Sequence, residues 1–446
     1  MNIPANAKTQ TISGEKYVFI DTPYWNAEKH RGEHKRRYIG KIVEGQFVPN
    51  GRYLLSLEKS GTIKPGPVPV TECKRQFYGA TYLLDQIGDK LGIVDDLKAS
   101  FPDKYKQLLS LAYFFVLEEG MSAYRLRKWA LTHNHPYGRD IPSQRISDLM
   151  GSIDEASKMN FFRRQARRRA EKEFLAFDTT SISSYSELIK FAKYGKNKEG
   201  DHLPQINLAL LYGEVSRLPV YFRKLTGNTA DVSLIRNLML DIDFLDMKKL
   251  SFVMDRGFYS EKNINDLMKH HHKFLIGIRC GLKIARKHLD EVRGEQLVSW
   301  ENYHDDVGLY AMSFSDEWDY REEHPRTGKC ICDKRRVYVH IYFNDQRCTD
   351  ERLSFAKYLT CLQDELKSGR KTEGHLKDYD KYFVVSETLK KGLHIIPNGD
   401  AIREHQRDFG YFVLLSNGIK DPEEAINLYR VRDLIEKAFA NLKERL

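Results

Sequence analysis

The order of short apolar runs between Phe174 and Ile278 restricts the fold more than any other feature of this chain. Phe174-Leu-Ala-Phe177 ends at Asp178, and Gln205-Ile-Asn-Leu-Ala-Leu-Leu211 and Val220-Tyr-Phe222 follow. Each run is short and rich in branched or aromatic side chains, which predicts a strand. Gly227-Asn-Thr then reads as a turn, and residues 230–245 carry apolar side chains at helical spacing. Leu250-Ser-Phe-Val-Met254, ending at Asp255, predicts a fourth strand. A helix over about residues 260–271 and a strand, Phe274-Leu-Ile-Gly-Ile278, complete the series. Three strands, helix, strand, helix, strand is a mixed α/β order, and it requires one sheet with helices packed on it.

The flanks read differently. Residues 1–70 are β-rich: Lys16-Tyr-Val-Phe-Ile-Asp21 and Arg37-Tyr-Ile-Gly-Lys-Ile-Val43 predict strands, and Gly61-Thr-Ile-Lys-Pro-Gly-Pro-Val-Pro69 predicts a linker. Residues 71–170 are helical, with Tyr82, Leu83, Ile87 and Leu91 on one face. This region closes on Phe161-Phe-Arg-Arg-Gln-Ala-Arg-Arg-Arg169. Arg163, Arg164, Arg167 and Arg168 are candidates for gripping DNA phosphates, with a solvated helix face as the equal alternative. Residues 281–420 mix short strands with polar helices and read as an insertion domain. Asp421-Pro-Glu-Glu opens a last helix, expected to run to the chain end and to complete a core formed with residues 171–280.

Composition narrows the partners. The 446 residues carry a net charge of +10, which favours a polyanion, nucleic acid before acidic membrane. Six scattered cysteines form no disulfide framework, and no apolar run approaches the roughly 20 residues that span a bilayer. We therefore expect a soluble cytoplasmic protein that meets no membrane. Cys330-x-Cys332 with His340 and Cys348 fits no standard zinc spacing. His270-His-His272 reads as a solvated helix end.

Asp178 and Asp255 both follow apolar strand residues. Strands side by side would place the two carboxylates together, where their repulsion calls for a divalent cation. Tyr429, Arg432, Glu436 and Lys443 are spaced 3, 4 and 7 apart. On a straight helix they fall within a stripe roughly 60° wide. Leu428, Val431, Ile435, Ala438, Phe439 and Leu442 form a separate apolar stripe, so one face can pack while its flank presents Glu436 to the aspartates.

Tyr429-x2-Arg432-x3-Glu436-x6-Lys443 resembles the signature of a large group of bacterial insertion-sequence transposases of the DDE type. Phe177-Asp-Thr-Thr-Ser-Ile182 resembles the group's first-aspartate strand, and Met254-Asp-Arg-Gly-Phe258 its second. Leu203-Pro-Gln-Ile-Asn207, the segment from Pro219 to Asp231, and Arg37-Tyr-Ile-Gly-Lys41 are similar as well. The resemblance implies a ribonuclease H-like core and a triad of Asp178, Asp255 and Glu436. The triad would hold two Mg²⁺ ions, for which Mn²⁺ can substitute. It implies DNA cleavage at terminal inverted repeats and strand transfer into target DNA, by a homodimer in the bacterial cytoplasm at the nucleoid. Tyr429, Arg432 and Lys443 would bind the transposon end, with Phe409 and Tyr411 as weaker base-stacking candidates.

Two other readings stay open. A stand-alone ribonuclease H-like nuclease would share the triad without needing an end-binding set. A truncated, catalytically weak end-binding protein would interfere with transposition. The chain stops three residues after Lys443, where relatives continue into a further helical segment, so we expect weak or absent transposition by the chain as given.

Overall fold

A computed structural model describes residues 2–26, 29–60, 75–169, 173–186, 188–195, 203–229, 234–323, 330–388 and 392–444. The linker expected at residues 61–69 and the start of the helix expected at Ala230 lie outside them. The chain divides into two compact units, Met1–Arg75 and Gln76–Leu446.

The first unit is an antiparallel meander, β1 (Ala7–Ile12), β2 (Glu15–Asn26), β3 (Arg31–Val43) and β4 (Gln46–Pro49), followed by helix α1 (Gly51–Lys59). Ser13-Gly14 and Glu44-Gly45 both hold positive φ at two successive residues. That conformation closes tight hairpins whose twist matches the strands. Val18, Ile39 and Phe47 form a small core with Ile20, Ile42 and Tyr53. A Cβ at Gly40 would collide with the Val48 carbonyl, which explains the glycine in Arg37-Tyr-Ile-Gly-Lys41.

The second unit begins with helices α2 (Gly79–Lys90), α3 (Ile93–Ser100), α4 (Tyr105–Leu117), α5 (Leu126–Thr132), α6 (Ser143–Gly151) and α7 (Glu155–Arg169). Leu126, Phe114 and Trp129 centre their core. Asp96 of α3 is 1% exposed and accepts from Gln165 Nε2 at 2.6 Å and from Arg168 Nε and Nη2 at 2.7 and 2.8 Å. This buried carboxylate docks α7, whose Phe162 meets Tyr221 and Phe222 edge-on, each at 5.1 Å.

Strands β5 (Phe174–Ser183), β6 (Gln205–Gly213) and β7 (Pro219–Thr226) precede helix α8 (Leu234–Phe244), strand β8 (Ser251–Met254), helix α9 (Glu261–Lys269) and strand β9 (Lys273–Ile278). Helix α10 (Lys283–Val292) and strands β10 (Tyr303–His304), β11 (Leu309–Glu323) and β12 (Cys330–Phe343) come next. Helices α11 (Asp345–Ser368) and α12 (Leu376–Tyr382), hairpin β13 (Phe383–Thr388) and β14 (Gly392–Pro397), and helix α13 (Gly399–Gln406) follow. Strand β15 (Tyr411–Ser416) and helices α14 (Pro422–Arg430) and α15 (Arg432–Lys443) end the unit.

The central sheet runs β10-β11-β12-β15-β9-β8-β5-β6-β7. β5, β8 and β9 are parallel, while β6 and β7 are antiparallel to their neighbours. This is a mixed α/β sheet, and the segment between β9 and α14 adds further strands and helices. The insertion is not a body apart: β12 pairs with β15, which pairs with β9, so its strands widen the core sheet. Helices α11, α12 and α13 and the β13–β14 hairpin form their own cluster around Phe355, Leu362 and Tyr382.

Strand alternation assigns the faces. Leu175, Phe177, Phe252 and Met254 pack against α8, α9 and α10. Ala176 meets Ile435 and Phe439 of α15, and Val253 lies in one cluster with Ala425 and Ile426 of α14.

Three expectations need correction. The strand through Asp178 does not end there but continues to Ser183, because Thr179, Thr180 and Ser181 keep pairing with β6. The last helix is not continuous. Val431 N–H donates to Leu428 and Leu434 N–H to Val431, tighter i→i−3 bonds that separate α14 from α15. His272 is not solvated: it is 3% exposed, and its Nδ1 accepts from Leu250 N–H at 3.1 Å.

Two predictions follow from this packing. Replacing Asp96 with Ala strips the partner from Arg168 and Gln165 and should cost about 2–3 kcal/mol, read as a lower urea midpoint. An unchanged midpoint would contradict the docking role. Burial pushes both His272 and His340 down to about 4, against an unfolded value of about 6.5. The folded state therefore resists their protonation. Their contribution is complete above about pH 6.5 and is lost as pH falls toward 4, about 3 kcal/mol each over the whole window and about 2 kcal/mol of it by pH 5. Urea midpoints at pH 7.5 and pH 5 check this, and a His272→Gln/His340→Gln variant should show a flatter pH dependence.

Candidate active site

Register brings the two aspartates together. Phe177 pairs with Met254 across the parallel strands β5 and β8, so Asp178 and Asp255 occupy the next matching positions. Alternation turns both toward the face covered by α14 and α15. Asp178 is 8% exposed and accepts from Thr179 N–H at 2.7 Å. Asp255 leaves the sheet in an extended conformation, and its side chain is 39% exposed.

The helices bring the third acid. Asp421 caps α14 by accepting from Glu424 N–H at 2.9 Å, with Pro422 in the first turn. Ile435 and Phe439 then seat α15 over Ala176, and Glu436 follows Ile435 on that helix. Arg432 connects the set. Its Nη1 lies 2.7 Å from Asp255 Oδ1 and its Nη2 lies 3.1 Å from Glu436 Oε1. The Tyr429 hydroxyl donates to Asp255 Oδ1 at 3.1 Å and accepts from Arg432 Nη1 at 3.3 Å. Burial, reinforced by the Asp255 charge, pushes the Tyr429 phenol well above its ordinary value. Burial works against the Arg432 charge, but Tyr429, Asp255, Glu436 and Asp178 together outweigh it and raise its pKa.

Tyr429, Arg432, Glu436 and Asp255 are in contact, with Asp178 beside them. Lys443 is half-buried two turns farther along α15. Among the described residues no three His, Cys, Asp or Glu side chains cluster closely enough to hold a metal ion. The Arg432 guanidinium stands between Asp255 and Glu436, where such an ion would need room. The donor set itself, three carboxylates with only oxygen ligands, fits Mg²⁺ or Mn²⁺.

A cleft of about 1130 Å³ runs from Asp255 and Arg432 past Tyr411 to Phe355, His405 and Phe409. Phe409 is half-buried against Phe355 and His405, at 5.7 and 5.5 Å between rings. Tyr411 is 8% exposed and packs on Phe343 at 4.8 Å, with Arg293 5.0 Å over its ring. The arginines of α7 stand elsewhere. Arg168 is paired with Asp96, and Arg163 donates to the Phe244 carbonyl at 3.0 Å. Arg164 lies 3.9 Å from Asp96, and Arg167 lies 3.5 Å from Asp246. Arg164 and Arg167 keep 44% and 64% of their side chains exposed.

Two lining residues escaped the sequence reading. A Cβ on Gly277 would stand 2.8 Å from the Tyr429 hydroxyl, so this strand glycine makes room for the tyrosine. A glycine inside a strand is the available signal for such a close approach. Arg256 adds a cation beside Asp255 in the cleft, with no sequence signal beyond its neighbour.

No curated protein matches the chain. A synaptic complex of piggyBac transposase with hairpin DNA, solved by cryo-electron microscopy, is similar at a TM-score of 0.34 and 11% identity. The match covers 80% of this chain and 59% of that one, so this chain spans less than two thirds of the relative's length. Residues 169–446 match the model of the transposase DDE domain family. Spanning well over half of the chain, and including both aspartate strands and the helices that carry Arg432 and Glu436, this match makes the chain a member of the transposase DDE domain family.

Proposed function

We propose that this protein cuts DNA at transposon ends and joins those ends to target DNA, with Asp178, Asp255 and Glu436 as the catalytic acids. One observation carries the reading. Two aspartates stand at matching positions of adjacent parallel strands, and Arg432 of a separately packed helix bridges one of them, Asp255, to Glu436. Membership of the family supports DNA transposition as the process.

Asp178, Asp255 and Glu436 would hold two Mg²⁺ ions, which when bound activate the attacking oxygen and stabilise the departing one. The attacking oxygen, from water or a DNA 3′-hydroxyl, bonds to phosphorus as the opposite P–O3′ bond breaks. Arg432 has two roles on this reading. Without metal it supplies the positive charge that lets Asp255 and Glu436 approach. With DNA in place it turns to a phosphate, which its planar fork suits. Tyr429 holds Asp255 in orientation and, with Lys443, completes the contacts to the terminal nucleotides. Phe409, at the far end of the cleft, is the better placed of the two stacking candidates.

Arg164 and Arg167 keep exposed guanidinium groups for phosphates, while Arg163 and Arg168 act mainly within the fold. The helical region, residues 71–170, would bind DNA beside the core formed by residues 171–280 and 421–446. Residues 281–420 would wall the cleft. Terminal inverted repeats bound by a homodimer would bring both ends to their sites.

Asp255→Ala and Glu436→Gln should each reduce Mg²⁺-dependent end cleavage by about 10³-fold or more while DNA binding persists. Unchanged cleavage would overturn the assignment. A paired end with a free 3′-hydroxyl should become joined to a target duplex. Hydrolysis without joining would instead identify a ribonuclease H-like nuclease.

A further inference from the structure

The β2–β3 pair outgrows its own sheet. β1 pairs with β2 only as far as Ile20, and β4 pairs with β3 only from Gly40 onward. Residues 21–26 and 31–36 therefore continue as a two-stranded ribbon with neither edge covered within this unit. At about 3.3 Å per residue the ribbon is roughly 20 Å long.

Register sorts its side chains into two faces. Ile20 opposes Arg37, Thr22 opposes Lys35 and Tyr24 opposes Glu33 on one face. Asp21 opposes Arg36, Pro23 opposes His34 and Trp25 opposes Gly32 on the other. The ribbon's acids are already matched. Asp21 meets Lys8 at 3.2 Å and His34 at 3.3 Å, and Glu33 meets Arg31 at 2.9 Å and Lys29 at 3.2 Å. Lys35, Arg36 and Arg37 are exposed and none has an ion-pair partner among the described residues. Arg36 is held by Gln10 at 3.1 Å and lies over Phe19. Trp25, near the ribbon's far end, is 66% exposed.

Exposed cations without an ion-pair contact thus stand on both faces of one narrow ribbon, with Asp21 opposite Arg36 on one of them. An acidic membrane or a flat acidic protein surface would engage only one face. The major groove of a duplex is about 12 Å wide, admits a two-stranded ribbon, and has phosphates along both walls. We propose that the β2–β3 ribbon enters the major groove of duplex DNA, with Lys35 and Arg37 on the phosphates of one wall and Arg36 on those of the other. Long flexible cations directed at phosphates hold DNA without selecting its sequence. The choice of DNA as partner rests on the function proposed above.

Fluorescence anisotropy on the full chain tests this, with two unrelated duplexes of about 30 base pairs at salt from about 0.05 to 0.2 M. The Lys35→Ala/Arg36→Ala/Arg37→Ala variant should bind both duplexes about tenfold more weakly or worse, and its salt slope should fall by about 3. A charge-keeping variant, Lys35→Arg/Arg36→Lys/Arg37→Lys, should bind like the wild type. An unchanged slope in the alanine variant, an equal loss in the charge-keeping variant, or a loss on only one duplex would overturn the proposal. A wild-type chain that binds no duplex would instead overturn the function proposed above.

Discussion

The contact of the Arg432 guanidinium with Asp255 and Glu436 is the interaction on which the rest of the site depends. Asp255 and Glu436, 39% and 54% exposed, approach one guanidinium from two elements, and without it their like charges would repel. A single guanidinium at 2.7 and 3.1 Å offsets both at once. Its Nε is buried with no hydrogen-bond partner. The side chain is thus held by its charge pairs rather than by a full set of hydrogen bonds, which suits a group that must later let go.

That contact exists because of packing far from it. The buried Asp96 draws α7 onto α3, and α7 lays Phe162 against Tyr221 and Phe222 at the sheet. The parallel register of β5 and β8 matches the two aspartates, and Gly277 leaves space for the Tyr429 hydroxyl that fixes Asp255. The break at Val431 lets α14 follow β8 and β9 while α15 crosses to β5. The insertion widens the sheet and adds the helical wall of the cleft. The family match, residues 169–446, includes β5, β8, α14 and α15 but not α3.

Much of the core was legible because it is local. Apolar runs of strand length marked β5, β6, β7, β8 and β9, and Asp255 sits at a strand end as its neighbours implied. What escaped was nonlocal or polar. Thr179-Thr180-Ser181 lie past the apolar run, yet all three are buried because β6 pairs with them throughout. His272 sits in a polar-looking histidine run, but its Nδ1 accepts the Leu250 amide inside the core. The union of β12 with β15 joins segments about 70 residues apart, beyond any local pattern. The stripe on the last helix was read on a straight axis. Tyr429, Arg432 and Glu436 still meet across the break because they lie within two turns.

Metal binding without DNA tests the central claim most directly. Free Mn²⁺ can be followed by electron paramagnetic resonance during titration of the full-length wild type and of Arg432→Gln. If Arg432 stands in for the cation, its loss leaves the acids uncompensated, and Mn²⁺ should bind about tenfold more tightly, a gain of about 1.4 kcal/mol. Adding Asp255→Asn to that variant should cancel the gain. Equal Mn²⁺ affinity in the wild type and Arg432→Gln would contradict the claim that this guanidinium occupies the place of the metal.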